Sequence, residues 1–165
     1  MKKYFLDLVS YNAWANRRMT ELIICAGEEA ATSIHKSSFP SIKETLFHIW
    51  DAEGIWLKRL KGESLDSWPS KNFIGNTFEG CEELVRGSRD FVSYVELMNE
   101  SELSQMIHYT NIKGVAFSNT VTEILGHVMN HSTFHRGQIV TMLRAVDFSD
   151  LKSTDLVTFF REGNS

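Results

Sequence analysis

The 165-residue chain carries 17 Lys and Arg against 21 Asp and Glu, and this net charge of -4 disfavours a protein that tracks nucleic-acid phosphates. Its length and its 42% apolar content predict one domain over residues 1–165 with one sizeable core. No apolar run approaches the ~18 residues of a membrane span, and Asp7 interrupts the N-terminal apolar stretch, so we expect a soluble cytoplasmic protein without a signal peptide.

The first two predicted helices are amphipathic. Apolar residues recur every three to four positions over residues 5–26, and Gly27 is placed to end this helix in a left-handed cap. Asn12 stands inside that apolar row, so it needs a buried hydrogen-bond partner. Ser41 opens an S-x-x-E capping box, whose two side chains bond free backbone N–H groups at a helix start. The second helix is therefore predicted to run from there to about residue 60.

The middle of the chain is less regular. Residues 63–76 form a polar stretch that contains proline and glycine, and this composition predicts a loop. A third apolar row predicts a helix over residues 77–99, although two glycines lie inside it. Between residues 104 and 119 the pattern is irregular, and the segment is either a short hairpin or an ordered loop.

Two further helices are predicted in the last third of the chain. Thr120 and Glu123 make a second capping box, and the apolar stripe that follows continues to about Val146. Ser153 is placed to cap a short C-terminal helix that ends near Arg161. Four helices of about 20 residues, each with one apolar face, bury those faces in an all-α four-helix bundle. Up-and-down and crossover topologies both remain open.

Two histidines lie in the apolar stripe of the fourth helix. At about 100° per residue, His135 lies about 40° from His131, among the apolar residues of that helix. Histidines at i and i+4 can share one metal, as in H-E-x-x-H zinc helices, although Ser132 replaces the glutamate of that motif. His127 lies at the stripe edge, ~12 Å of helix rise from His135 and too far to share a metal with it. We predict His131 and His135 as ligands and His127 as their neighbour.

A third ligand must come from another helix. His48 is the best candidate because it lies at the margin of the second helix's apolar stripe, whereas His35 and His108 fall in predicted loops. Three neutral imidazoles leave positions open on a divalent metal, which is typical of catalytic sites. The alternative is that these are core histidines bonded to Asn, Tyr or backbone carbonyls.

Other polar residues lie close to these histidines in sequence. Asp51 follows His48 by three residues, so it either orients the ring of His48 or is a solvated acid. Gln138 lies one turn after the last histidine and is a second candidate to act in the site, by bonding a ligand there. Arg136 points away from the stripe and is predicted to make surface or subunit contacts. Gly137 is predicted to permit a close helix approach.

The fourth helix also carries a recognisable motif. Residues 127–138 read H-V-M-N-H-S-T-F-H-R-G-Q and resemble the H-x-x-N-H-x-x-x-H-R-G-Q signature of the DinB/YfiT-like family of metalloenzymes. Residues 11–16, Y-N-A-W-A-N, and residues 46–53, L-F-H-I-W-D-A-E, resemble that family's first and second helices. The similarity continues into residues 154–161 and so covers almost the whole chain.

This resemblance implies a homodimeric four-helix bundle that holds a divalent metal, zinc or nickel, on His48, His131 and His135. It also implies a small-molecule substrate, because relatives include S-transferases and isomerases that use low-molecular-weight thiols, as well as metal-dependent hydrolases. The leading hypothesis is a thiol transferase, with a hydrolase next. A non-catalytic metal-binding bundle of the stress response and a purely structural bundle are the alternatives.

Overall fold

A computed structural model of the chain describes residues 1–63, 67–111 and 113–163. The predicted helical bundle is confirmed: among the described residues, all regular elements are helices except one two-stranded sheet. None of the helices that they form is long and apolar enough to cross a membrane. The elements are α1 (Lys2–Ala26), α2 (Glu28–Thr32), α3 (Ile42–Leu60), α4 (Thr77–Leu97), β1 (Met106–Thr110), β2 (Ala116–Thr120), α5 (Val121–Ala145) and α6 (Leu156–Glu162).

Most helix ends lie where the sequence predicts them. Gly27 follows α1 with φ of 91°, a conformation that side chains with a Cβ rarely adopt. The Ser41 hydroxyl accepts a hydrogen bond from the backbone N–H of Glu44 at the start of α3. Thr120 and Glu123 form a complete capping box at the start of α5. These local bonds therefore determine where the long helices begin.

Other boundaries differ from the prediction. The short helix α2 was not predicted, and the stretch 63–76 contains a 3-10 turn at Pro69–Asn72, while its residues 64–66 lie outside the described part of the chain. The cap predicted for the last helix is wrong, because α6 begins after Asp155 and the Ser153 hydroxyl bonds that carboxylate instead.

The irregular segment before α5 is a hairpin. Strands β1 and β2 pair antiparallel, with Met106 opposite Thr120, and Gly114 in the turn has φ of 76°. The Asn111 side chain accepts hydrogen bonds from two backbone N–H groups of the turn. Strand β1 contacts α3 and β2 contacts α5, so the hairpin lies across one end of the helix pair α3 and α5.

Two apolar clusters fill opposite ends of the bundle. The hairpin-end cluster includes Phe5 of α1, Phe91 of α4 and Val121 of α5, whereas the far-end cluster includes Met19 of α1 and Ile42 of α3. Helices α1 and α5 run from the hairpin end to the far end, and α3 and α4 run in the opposite direction. Helix α1 packs against α4 and α5, and α3 packs against the same two helices. The bundle is thus up-down-down-up, with a crossover between α3 and α4.

A buried polar layer separates the two clusters. At its centre Glu53 is 2% exposed, and its carboxylate accepts hydrogen bonds from side chains of the other three long helices. One oxygen accepts from Asn12 at 2.7 Å and Asn16 at 2.8 Å. The same oxygen accepts from Ser132 at 2.9 Å, and the other oxygen accepts from Ser88 at 2.7 Å. Asn12 therefore has the buried partner that its position requires.

Arg136 completes the polar layer and corrects the prediction of surface contacts. The residue is 2% exposed, and its guanidinium donates to the side-chain oxygens of Asn12 and Asn16 at 2.6 and 2.8 Å. Burial lowers its pKa, while the charge of Glu53 acts in the opposite sense. The side chain points away from the histidines as predicted, but α1 covers that side of α5. Gly137 is exposed, with no neighbour within 4 Å of an added Cβ, so the predicted close approach is also wrong.

Replacing Glu53 by Gln should destabilise the fold by about 3–5 kcal/mol, because it leaves the buried charge of Arg136 without a counter-charge. Urea unfolding measures this loss. The exposed variant Glu21→Gln on α1 should change stability by less than about 0.5 kcal/mol. Adding Arg136→Met to Glu53→Gln should recover part of the loss; a double variant no more stable than the sum of the two single changes would contradict the charge coupling.

Candidate metal centre

Three of the six histidines lie together between α3 and α5. His48 is on α3, and His131 and His135 are one turn apart on α5. Each offers one ring nitrogen, and these three atoms all lie within 4.8 Å of one another. The structure therefore brings together the three residues that the helical pattern and the resemblance selected, in an arrangement that could hold a metal ion.

The three rings converge closely. Their centroids lie 4.4–4.8 Å apart, and the Nε2 atoms of His48 and His131 are 2.9 Å from each other. At this distance one of the two nitrogens donates a hydrogen bond to the other, whereas a metal requires a lone pair from each. Ligand nitrogens bound at ~2.0–2.1 Å to a tetrahedral ion lie ~3.4 Å apart, so small side-chain rotations bring the three atoms to coordination distance.

Gln138 determines which nitrogen of His135 is free. Its side-chain oxygen accepts a hydrogen bond from Nδ1 of His135 at 2.7 Å, and its amide donates to Ser38 at 3.1 Å. The proton on Nδ1 leaves the Nε2 lone pair available to a metal, a common arrangement behind metal-bound imidazoles. Gln138, a candidate for direct action, here positions a ligand.

One ring nitrogen of His131 lacks a hydrogen-bond partner among the described residues. This atom is Nδ1, and it is buried. Leaving such a group unpaired costs on the order of 1–3 kcal/mol, and an exception of this kind in a native core is typical of functional sites. The all-imidazole donor set of the cluster fits a divalent transition metal.

Asp51 is held away from the histidines. Both of its oxygens accept hydrogen bonds from Ser70, one from the backbone N–H and one from the hydroxyl, each at 2.7 Å. Burial raises the pKa of this carboxyl and the two bonds oppose the rise. Both Asp51 oxygens are thus engaged by the 3-10 turn, and among the described residues no hydrogen bond joins Asp51 to His48.

Phe39 lies over the histidines from the loop between α2 and α3. Its ring stacks on His48 at 4.3 Å and meets His135 edge-on at 5.7 Å. An apolar ring in this position limits the access of water on that side. The position of Phe39 is not predictable from the sequence, because a loop residue has no helical periodicity that would place it next to the histidines.

The remaining histidines lie outside the cluster. His127 is an exposed neighbour, as predicted, with its ring 5.7 Å from that of His131 and 5.2 Å from that of Trp56. His35 bonds Ser33 in the loop after α2. His108 is exposed on β1.

The three clustered histidines favour their neutral forms. Burial lowers the pKa of His48 and of His131 to about 4, and the neighbouring histidines add to the effect. Burial also lowers the pKa of His135, and its bond to Gln138 acts in the opposite sense. The cluster is therefore neutral near pH 7, the state in which imidazoles bind metals.

The metal-free protein should lose stability as the pH falls from about 6.5 towards 4. In this window the unfolded chain protonates histidines that remain neutral in the folded chain, so protons favour unfolding; above about 6.5 neither state is charged and the effect is absent. Urea midpoints of chelator-treated protein across this range measure the effect. His48→Gln should flatten the curve, and His108→Gln should not. A wild-type curve no steeper than that of His48→Gln would contradict the assignment.

Residues 1–146 match the sequence profile of the DinB family. Over 156 residues the chain is 27% identical to Protein DinB of Bacillus subtilis (strain 168), with 90% of each chain covered. A DinB-like protein from Bacillus cereus ATCC 10987 shares the fold with a TM-score of 0.71 and 14% identity, over 90% of this chain and 95% of that one. A conserved protein from Enterococcus faecalis has a TM-score of 0.60 and 16% identity, over 86% and 96%. By the extent of the profile match, the chain belongs to the DinB family.

Proposed function

We propose that this chain is a metal-dependent enzyme that acts on a small molecule. The observation that carries the proposal is the cluster of His48, His131 and His135, whose ring nitrogens converge from two helices and favour the neutral state. Zinc and nickel are the proposed metals, because both accept imidazole ligands. With three protein ligands, such an ion has an open position in which it lowers the pKa of a thiol or of water.

Thiol transfer is the proposed reaction, ahead of hydrolysis. Hydrolysis usually needs a general base, and two carboxylates that follow His48 on α3, Asp51 and Glu53, have other partners. Asp51 bonds Ser70, and Glu53 accepts four hydrogen bonds inside the polar layer. A thiol of lowered pKa is already a strong nucleophile and needs no such base. A low-molecular-weight thiol is thus the proposed co-substrate.

The chain's own residues organise this site in three ways. Gln138 holds the His135 ring in the tautomer that leaves Nε2 free. Phe39 lies against two of the rings and limits water on that side. The polar layer fixes α3 against α5, so that His48 stays opposite its two partners. In this proposal the protein works in the cytoplasm as a homodimer, in line with the resemblance, and its acidic charge supports a small-molecule rather than a nucleic-acid partner.

A non-catalytic metal-binding bundle is the second candidate. The observation that favours it is the same engagement of Asp51 and Glu53, neither of which is free to act as a base. This candidate would bind the same metal at the same three histidines, but it would not turn over a substrate.

His131→Ala should abolish stoichiometric metal binding, because it removes one of the three converging imidazoles and leaves two ligands. Elemental analysis of protein purified without added metal measures occupancy. His108→Ala, which removes an exposed histidine on β1, should retain the wild-type metal content. Zinc at a hundredfold excess over its Kd should stabilise wild-type protein by about 2.7 kcal/mol and leave His131→Ala unchanged. Full occupancy in His131→Ala would refute the site, and chelation without effect on wild-type stability would favour a purely structural bundle.

The metal-loaded protein should transfer small thiols to electrophiles faster than it hydrolyses esters or amides. Glutathione, bacillithiol and simpler thiols, each with a set of alkylating electrophiles, form the assay panel. His131→Ala should lose the activity, and the exposed α1 variant Glu21→Gln should keep it. Turnover of esters but not of thiols would establish the hydrolase, and inactivity across the panel would establish the non-catalytic bundle.

A further inference from the structure

A cavity of about 640 Å³ lies between the end of α3 and the hairpin. Arg59 and Glu63 line it from the helix side, and His108, Tyr109 and Phe117 line it from the strands. The three clustered histidines are not among its lining residues. This cavity is therefore a separate feature that the metal site does not account for.

Arg59 is held rigidly at this cavity. Its guanidinium carbon lies 4.5 Å from the ring of Trp56 and 4.5 Å from the ring of Tyr109. One nitrogen donates a hydrogen bond to the backbone oxygen of Thr110 at 3.4 Å. Cation–π contacts of this kind fix the plane of the guanidinium and use none of its N–H groups. Arg59 is thus an oriented cation, and most of its N–H groups are available to donate hydrogen bonds to a ligand.

No carboxylate neutralises this cation within residues 1–63, 67–111 and 113–163. Glu63 lines the same cavity but forms no ion pair with Arg59. Burial lowers the pKa of Arg59, which shows that the guanidinium is partly removed from water. A partly desolvated guanidinium is well suited to bind a carboxylate or a phosphate through paired hydrogen bonds.

The helix geometry connects this cation to the histidines. At about 100° per residue, Ala52, Trp56 and Arg59 all lie within about 80° of His48 on one face of α3. Eleven residues separate His48 from Arg59, or ~16 Å of helix rise, and helical side chains lean back towards the N-terminus, here towards the histidines.

Aromatic rings fill the interval between the two features. The ring of His127 lies 5.7 Å from that of His131, Trp56 lies 5.2 Å from His127, and Tyr109 lies 5.1 Å from Trp56. We call His127, Trp56 and Tyr109 the aromatic strip. Its rings contact one another in series from the neighbour of His131 to the side chain that Arg59 stacks on.

We propose that Arg59 binds the carboxylate or phosphate of a substrate whose reactive end reaches His48, His131 and His135, with its apolar middle on the aromatic strip. This inference rests on the proposed function and specifies its substrate class: an elongated small molecule with an anionic group at the end remote from the reaction. Carboxylate and phosphate are both bound by the same guanidinium chemistry, and the experiment separates them.

The test uses ω-mercaptocarboxylic acids of increasing chain length, together with the matching ω-mercaptoalkyl phosphates. Binding of each compound to zinc-loaded protein is measured by calorimetry. Affinity should reach a maximum at the length that spans the strip. Arg59→Gln should weaken binding at that length about ten-fold, the value of one charge-assisted hydrogen-bond pair, and should remove the maximum. The series with the higher maximum identifies the preferred anion.

Two variants control for charge and for folding. Lys61→Gln removes an exposed positive charge two residues away and should keep the maximum. Arg59→Lys retains the charge without the paired donors and should give an intermediate affinity. Affinities that rise with length equally in wild type and Arg59→Gln would overturn the role of Arg59 while leaving the metal site intact.

A second readout does not depend on the metal. In metal-free protein, a long-chain carboxylate without a thiol should shift the indole N–H resonance of Trp56 in the NMR spectrum, and Arg59→Gln should abolish the shift. If the protein shows this shift but binds neither zinc nor nickel, the anion site is supported and the proposed function is refuted. No shift in wild-type protein would overturn the anion site.

Discussion

The buried carboxylate of Glu53 constrains the whole bundle. A charge so far from water is tolerated because α1, α4 and α5 each donate hydrogen bonds to it, and these bonds are satisfied in one alignment of the helices only. Ser132 and Arg136, which belong to this polar layer, directly follow His131 and His135 along α5. The alignment that satisfies Glu53 is therefore the alignment that places the α5 histidines opposite α3.

The sequence was most informative within single helices. Periodicity assigned His48, His131 and His135 to inward positions, and capping residues such as Ser41 located the helix starts. Periodicity does not show which helix covers a given side, and for that reason Arg136 was placed at the surface when α1 in fact buries it. The contacts that loop residues make are equally unpredictable from the sequence, because loop residues follow no repeating pattern. The stacking of Phe39 and the bond from the 3-10 turn to Asp51 belong to this group.

The two sides of the histidine cluster differ. Phe39 stacks on one side of it, and the exposed His127 lies on another, which is the side that the proposed substrate would follow towards Arg59. In that proposal the hairpin would be a part of the binding surface as well as a connection between α4 and α5. Variation in its length or sequence among related proteins is a direct way to change which molecules fit, with the metal ligands left unchanged.

The up-down-down-up topology determines which parts of the chain a metal at the candidate site would join. His48 and His131 are 83 residues apart in sequence, and the crossover between α3 and α4 lies within that interval. An ion bound by both histidines would hold α3 against α5 in the folded chain, and because it would bind the folded state only, it would stabilise that state by mass action. The isolated α5 helix offers two ligands only. Coordination by all three histidines would therefore require α3 and α5 to be packed together, and a bound ion would oppose their separation.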